Sequence, residues 1–386
     1  MWHCWQARFR LSTGLRTWWL DAIVTPFLTL HFTWFSLVGG FAGGLALALL
    51  AIFLAVRGAG KESPRALLAV HIFGQACNMD PLLELAGQHG MEVIEDACEV
   101  LRARAERVLG GSASFFSVAA SYFSPVNLVG VVGNDFGEEQ LRAFRGRAID
   151  LEGLERMEGK TFHWQGRYSL DLNSRDTICT DLNVFEFFKP KIPARYRGSE
   201  VVFLGNIDPV LQRDVLEQVE RPRVVACDTM NFWIHGKPAE VRETLKKVQI
   251  LLINDQEARD LSGEWNLVKA ARAIRAMGPS TLVVKKGEHG VLMFSEEGCF
   301  SAPAMPLEVV FDPTGAGDTF AGGFLGYLAS TGQAGDAALR RAVIMGSTLA
   351  SFCVEAFSLD RLLKLTRPEI DARYRDFETL TRFESL

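Results

Sequence analysis

Residues 312–320 read Asp-Pro-Thr-Gly-Ala-Gly-Asp-Thr-Phe, and these residue types in this order suit the handling of an anion. The apolar run at 309–311 before them reads as a short strand, and residues 320–328 behind them carry apolar side chains at helical spacing. Gly315 and Gly317 therefore fall at a strand-to-helix turn, where the first N–H groups of the helix lack partners inside it. Those donors and the helix dipole attract phosphate. The backbone of Gly315, Ala316 and Gly317 forms a candidate anion hole, because bare glycine backbone allows close approach. Asp318, in the first turn, is placed to take a proton from an attacking hydroxyl, a contribution of ~10²–10⁴-fold. An anion hole beside a base is what phosphoryl transfer asks for, since that reaction needs positioning and charge neutralisation rather than covalent help. The plainer reading is a tight turn with an aspartate cap.

Something must hold that turn in place. Strand-like runs at 201–204, 224–227, 250–253 and 282–284 alternate with helical stretches at 210–219, 238–247 and 267–277. The alternation predicts a mostly parallel sheet with helices on both faces, a fold whose ligands bind beyond the carboxyl ends of the strands. Asp228, Asn254 and Asp318 each follow a strand, so one edge gathers them. Residues 161–168 and 177–185 alternate apolar and polar types across a turn-rich stretch at 171–176, which predicts a β-hairpin.

The nonamer resembles the C-terminal motif of the PfkB (ribokinase-like) carbohydrate kinases, Asp-Thr-x-Gly-Ala-Gly-Asp-x-Phe, with Pro313 in the second position. Further motifs extend the resemblance over about residues 105–386. Gly110-Gly111-Ser-Ala resembles the family's Gly-Gly turn, residues 128–137 its next strand and loop, and Asn254-Asp-Gln-Glu257 its Asn-x-x-Glu motif. Gly287-Glu-His-Gly290 is similar to the loop that lines the nucleotide. The resemblance implies a doubly wound, mostly parallel α/β sheet with a small β-lid. It implies ATP and Mg²⁺ as cofactors, and phosphorylation of a hydroxyl on a sugar or nucleoside. It makes Asp318 the base and Gly110, Gly111 and Asp228 substrate-binding. Asn254, Gly287, Gly290 and Thr314 become nucleotide-binding, and Glu257 reaches the metal through water, since Mg²⁺ keeps several waters. The hairpin becomes part of a lid over the sugar, through which two copies of the chain would pair.

Several of these residues have a second reading. Asn254 and Glu257 also spell a capping box. Asp228 and Asn231 face substrate or phosphate, or serve as ordinary Asx turns. Lys285 and Lys286 face phosphate, or form a solvated rim. The seven histidines and seven cysteines are scattered in sequence, without a pairing at metal-ligand spacing. His163 and His289 read as packing or solvent contacts, and the cysteines suit a reducing compartment.

The first hundred residues depart from the pattern. An aspartate that holds sugar hydroxyls should precede Gly110. Two residues stand in for it: Asp80, beyond the strand-like run 67–73, or Asp96, after 91–94. Phe115 stands where many members carry a sugar-binding Asn. Residues 70–97 resemble one segment of the DegT-type sugar aminotransferases, in which the residue matching Asp96 pairs with the pyridinium nitrogen of pyridoxal phosphate. One βα unit cannot build that cofactor site, so the segment reads as a remnant in a chimeric chain. A catalytically dead kinase-like module is the alternative to an active kinase.

Residues 22–56 contain no Asp, Glu, Lys or Arg. Residues 35–56 are long enough to cross a bilayer, which takes about 20 helical residues, and a buried helical hairpin is the alternative. The expected organisation is an apolar segment at 1–65, an aminotransferase-like fragment at 66–104 and a kinase domain at 105–386. The kinase part is expected in the cytoplasm, anchored through the apolar segment. A net charge of −5 gives no reason to expect nucleic-acid binding.

Overall fold

A computed structural model describes residues 66–70, 92–96, 108–168 and 175–382. The candidate membrane segment at 35–56 and Asp80 lie outside the described residues. Among the described residues, no helix is long and apolar enough to cross a membrane. The chain divides into two compact units, residues 1–102 and 103–386. In the first, β1 (Ala66–Val70) and β2 (Glu92–Asp96) pair in parallel, with Val70 opposite Asp96.

The second unit opens with α1 (Ser112–Ala120). The parallel pair β3 (Val126–Val132) and β4 (Ile149–Arg156) comes next, with the short α2 (Glu138–Leu141) between them. The expected hairpin is present as β5 (His163–Tyr168) and β6 (Arg175–Asp181). A six-stranded sheet then forms from β7 (Val201–Leu204), β8 (Val224–Cys227), β9 (Ile250–Asn254), β10 (Thr281–Lys285), β11 (Val291–Ser295) and β12 (Gly298–Ala302). Its spatial order is β12-β11-β10-β9-β8-β7. β7 to β10 are parallel, and β11 and β12 add an antiparallel edge.

The central strands are apolar almost throughout because both faces are covered. Leu251 and Ile253 of β9 face a core shared with α3 (Pro209–Gln218), α4 (Asn231–Gly236), α5 (Pro238–Leu245), α6 (Asp255–Ser262) and α7 (Leu267–Arg275). Ile250 and Leu252, one residue out of phase, face the other core, as a period of two requires. That second core is closed by Phe320, Phe324, Leu325 and Leu328 of α8 (Ala316–Thr331) and by Ala342 and Val343 of α9 (Asp336–Cys353). The glycines of α8 serve close packing. A Cβ on Gly322 would lie 2.4 Å from the carbonyl oxygen of Phe116, so α8 and α1 meet backbone to backbone. The chain ends in α10 (Asp360–Lys364) and α11 (Arg367–Thr381).

One expected element is missing. Residues 309–311 form no strand, and Val309, Val310 and Phe311 are exposed. The Phe311 N–H donates instead to the Val354 carbonyl at the end of α9, at 2.7 Å. Three apolar residues carry no information about whether a neighbouring strand exists to pair with them.

Candidate active site

The turn at 312–318 is fixed from inside. Asp312 is buried, and its carboxylate accepts from the Thr314 N–H at 2.9 Å and the Ser358 N–H at 3.4 Å. Gly315 caps α8 with φ +77°, a left-handed conformation that an L side chain rarely adopts. A Cβ there would also stand 2.4 Å from the Phe115 ring. Phe115 is 1% exposed, so at the position where the resemblance led us to look for a sugar ligand, the side chain forms the floor of the turn instead.

Ala316, Gly317 and Asp318 make up the first turn of α8. The Ala316 N–H turns back on the Pro313 carbonyl at 3.2 Å. The N–H groups of Gly315 and Gly317 have no hydrogen-bond acceptor among the described residues. From the lid side, the Thr314 hydroxyl donates to Tyr168 Oη at 3.1 Å.

Lys285 corrects the sequence reading. It closes β10 in register with Asn254 of β9, and its side chain is largely covered rather than part of a solvated rim (16% exposed). Its Nζ lies 3.6 Å from Asp228 Oδ2 and 3.0 Å from the point a Cβ on Gly317 would occupy. Burial works against the charged ammonium. The carboxylates of Asp228, Glu257 and Asp318 outweigh it and raise the Lys285 pKa above the ordinary lysine value. A lysine that ends a fully buried parallel strand emerges at the carboxyl edge, and the pairing with Asn254 is what places it there.

The capping-box reading of Asn254 and Glu257 holds. Asn254 Oδ1 accepts from the Glu257 N–H at 2.7 Å, and Glu257 Oε2 accepts from the Asn254 N–H at 2.8 Å. The capping box therefore orients a buried carboxylate beside Lys285. Asp228 is buried and accepts from its neighbour's N–H, Thr229, at 2.8 Å. Asn231 starts α4, and its Oδ1 is buried without a hydrogen-bond partner among the described residues.

Gly111, with φ +91°, caps α1 after Gly110, and space is open around both. Gly287 begins a 3₁₀ turn that ends at Gly290. A Cβ on Gly290 would lie 2.1 Å from the Ala302 carbonyl oxygen, so backbone packing alone demands glycine there. His289 in this turn is exposed, as expected.

Asp318, the turn at Gly317, the Lys285 ammonium and the carboxylates of Asp228 and Glu257 thus meet at the carboxyl edge of the sheet. The pattern of the pfkB family carbohydrate kinases matches residues 89–363. The chain belongs to this family. Family membership makes it a phosphotransferase, and the match begins upstream of residue 105. The chain is 33% identical over 222 residues to a cytidine kinase of Thermococcus kodakarensis, covering 56% of this chain and 78% of that one. A nucleoside kinase of Burkholderia thailandensis, solved in complex with inosine, aligns with a TM-score of 0.58 and 21% identity over 70% of this chain and 88% of that one. That likeness shows the ribokinase-like fold. Over 72 residues the chain is 43% identical to the dTDP-3-amino-3,4,6-trideoxy-alpha-D-glucose transaminase of Streptomyces venezuelae, 18% of each chain. The aminotransferase likeness is genuine and confined to a fragment.

Proposed function

We propose that this pfkB-family kinase transfers the γ-phosphoryl group of ATP to the hydroxymethyl group of a nucleoside, with a free sugar as the second substrate class. The observation that carries this reading is the meeting of Lys285 with Asp318, Glu257, Asp228 and the Gly317 turn. Asp318 orients the acceptor hydroxyl and takes its proton as the bond to phosphorus forms. The Gly315 and Gly317 N–H groups receive the phosphoryl oxygens, and the Lys285 ammonium offsets the charge that spreads over them in the transition state. Gly110 and Gly111 border the acceptor, while Thr314, Asn254, Gly287 and Gly290 border the nucleotide.

The donor set suits Mg²⁺. Three carboxylates face one ammonium, and −3 with +1 leaves −2 for a hard, hydrated cation held through water by Glu257. When bound, that ion neutralises phosphate charge. The preference for a nucleoside rests on the 33% identity to a cytidine kinase. ATP as co-substrate points to the cytoplasm. The test is ATP consumption by the purified full chain against cytidine, other nucleosides, ribose and fructose. Nucleoside-dependent formation of ADP and a nucleoside monophosphate is expected. Turnover with free sugars alone would move the assignment to the second class.

A further inference from the structure

The lid hairpin carries a cluster that the phosphoryl-transfer site does not use. In the β5–β6 register, His163 stands opposite Asp181, and Gln165 opposite Cys179. Cross-strand partners share a face and positions two apart on a strand return to it, so His163, Asp181 and Cys179 point the same way. Asp181 joins the other two. His163 Nδ1 lies 3.3 Å from Asp181 Oδ2, and the Cys179 thiol donates to Asp181 Oδ1 at 3.4 Å. The ligand atoms of all three residues lie within 4.8 Å of one another.

A cross-strand His–Asp pair is ordinary. A free thiol on the same carboxylate adds a third donor and changes the chemistry. Tetrahedral Zn²⁺, with bonds near 2.0–2.3 Å, sets its ligand atoms roughly 3.4–3.6 Å apart. One carboxylate oxygen of Asp181 already stands near that spacing from His163 Nδ1 and the other from Cys179 Sγ, and a small turn of the side chain brings a single oxygen between them. Imidazole nitrogen, thiolate sulfur and carboxylate oxygen select a borderline-soft ion over Mg²⁺ or Ca²⁺. His163 and Cys179 are partly exposed and Asp181 is exposed, so an ion can enter and a water can complete the shell.

We propose that His163, Cys179 and Asp181 form a Zn²⁺ site that clamps the two strands of the lid. Binding forms Zn–N, Zn–S and Zn–O bonds, displaces water from the ion and releases the thiol proton to solvent. Without an ion, the hydrogen bond to Asp181 keeps the thiol protonated, with its pKa above the ordinary cysteine value. The clamp sits at the base of the strand that ends in Tyr168, which meets Thr314 of the phosphate-binding turn. Fixing the hairpin therefore steadies that lid contact.

The test uses the full chain, stripped with chelator and titrated with Co²⁺ and then Zn²⁺. The expected result is one ion per chain, a thiolate-to-Co²⁺ charge-transfer band, and slower amide exchange in residues 163–168 and 175–181. Cys179→Ser should lose the band, and His163→Ala should weaken binding at least ~10-fold, the low end for altered metal surroundings. Absence of the band in the wild-type chain overturns the site, and so does unchanged Zn²⁺ affinity in Cys179→Ser. Both readouts are independent of kinase activity.

Discussion

Replacing Gly315 by alanine isolates the physical demand of the turn at 312–318. Two costs apply. At φ +77° an L-residue is disfavoured by about 1–2 kcal/mol. The new Cβ would fall 2.4 Å from two atoms of the Phe115 ring, and overpacking of that kind costs about 1–3 kcal/mol. The sum is roughly 2–5 kcal/mol, which for a domain of this size corresponds to a fall in Tm of about 4–10 °C. Urea unfolding of Gly315→Ala, Phe115→Ala and the double variant separates the two terms. With the ring removed, the alanine should cost only the backbone term, about 1–2 kcal/mol. Phosphoryl transfer should drop further than stability does, because the N–H groups of the turn change direction. A Gly315→Ala chain with wild-type stability and wild-type turnover would refute the reasoning.

Three other outcomes follow from the geometry. Lys285→Met should fold with reduced stability, because the buried Asp228 carboxylate loses the neighbouring ammonium charge. It should also lower kcat by about 10²–10³, the range for removing one transition-state donor. Steady-state kinetics normalised to the folded fraction from circular dichroism would check this, and a change in ATP KM with kcat intact would argue against the role assigned to Lys285. Gly322→Ala should cost about 1–3 kcal/mol by overpacking, because its Cβ would meet the rigid Phe116 carbonyl at 2.4 Å, and thermal unfolding measures it. The Glu369 carboxyl, hydrogen-bonded by Thr366 and Arg361, is held down from 4.5 to about 2. A carboxyl lowered in the folded state stabilises above its unfolded pKa and loses that contribution as pH falls through the folded value. Thermal stability should therefore decline between pH 4.5 and 2, and Glu369→Gln should lessen the decline.

The parts that were legible in the sequence are those whose cause is local. The turn at 312–318 is contiguous, and its residue types reveal both the tight turn and the first helical turn. The buried strands β8 to β10 announce themselves as short apolar runs between helical patterns. What escaped depends on register or on distant neighbours. Lys285 after a strand reads the same on a rim as in a core, until pairing with Asn254 places it at the edge. Phe115 looks like a lost sugar ligand until Gly315 is seen to rest on it. His163 and Cys179 are sixteen positions apart in the chain, and only the hairpin register unites them. The run at 309–311 has strand composition, yet no strand pairs with it among the described residues.

The proposed role of Asp318 as the base of a phosphotransferase can be measured directly. The most direct measurement compares the wild-type chain with Asp318→Asn in ATP-dependent phosphorylation of the best nucleoside or sugar, alongside ATP affinity and Tm. A fall in kcat of ~10²–10⁴-fold is expected, with ATP affinity and Tm nearly unchanged. Equal turnover by the two proteins would contradict it, and so would ATP binding without phosphoryl transfer by the wild-type chain.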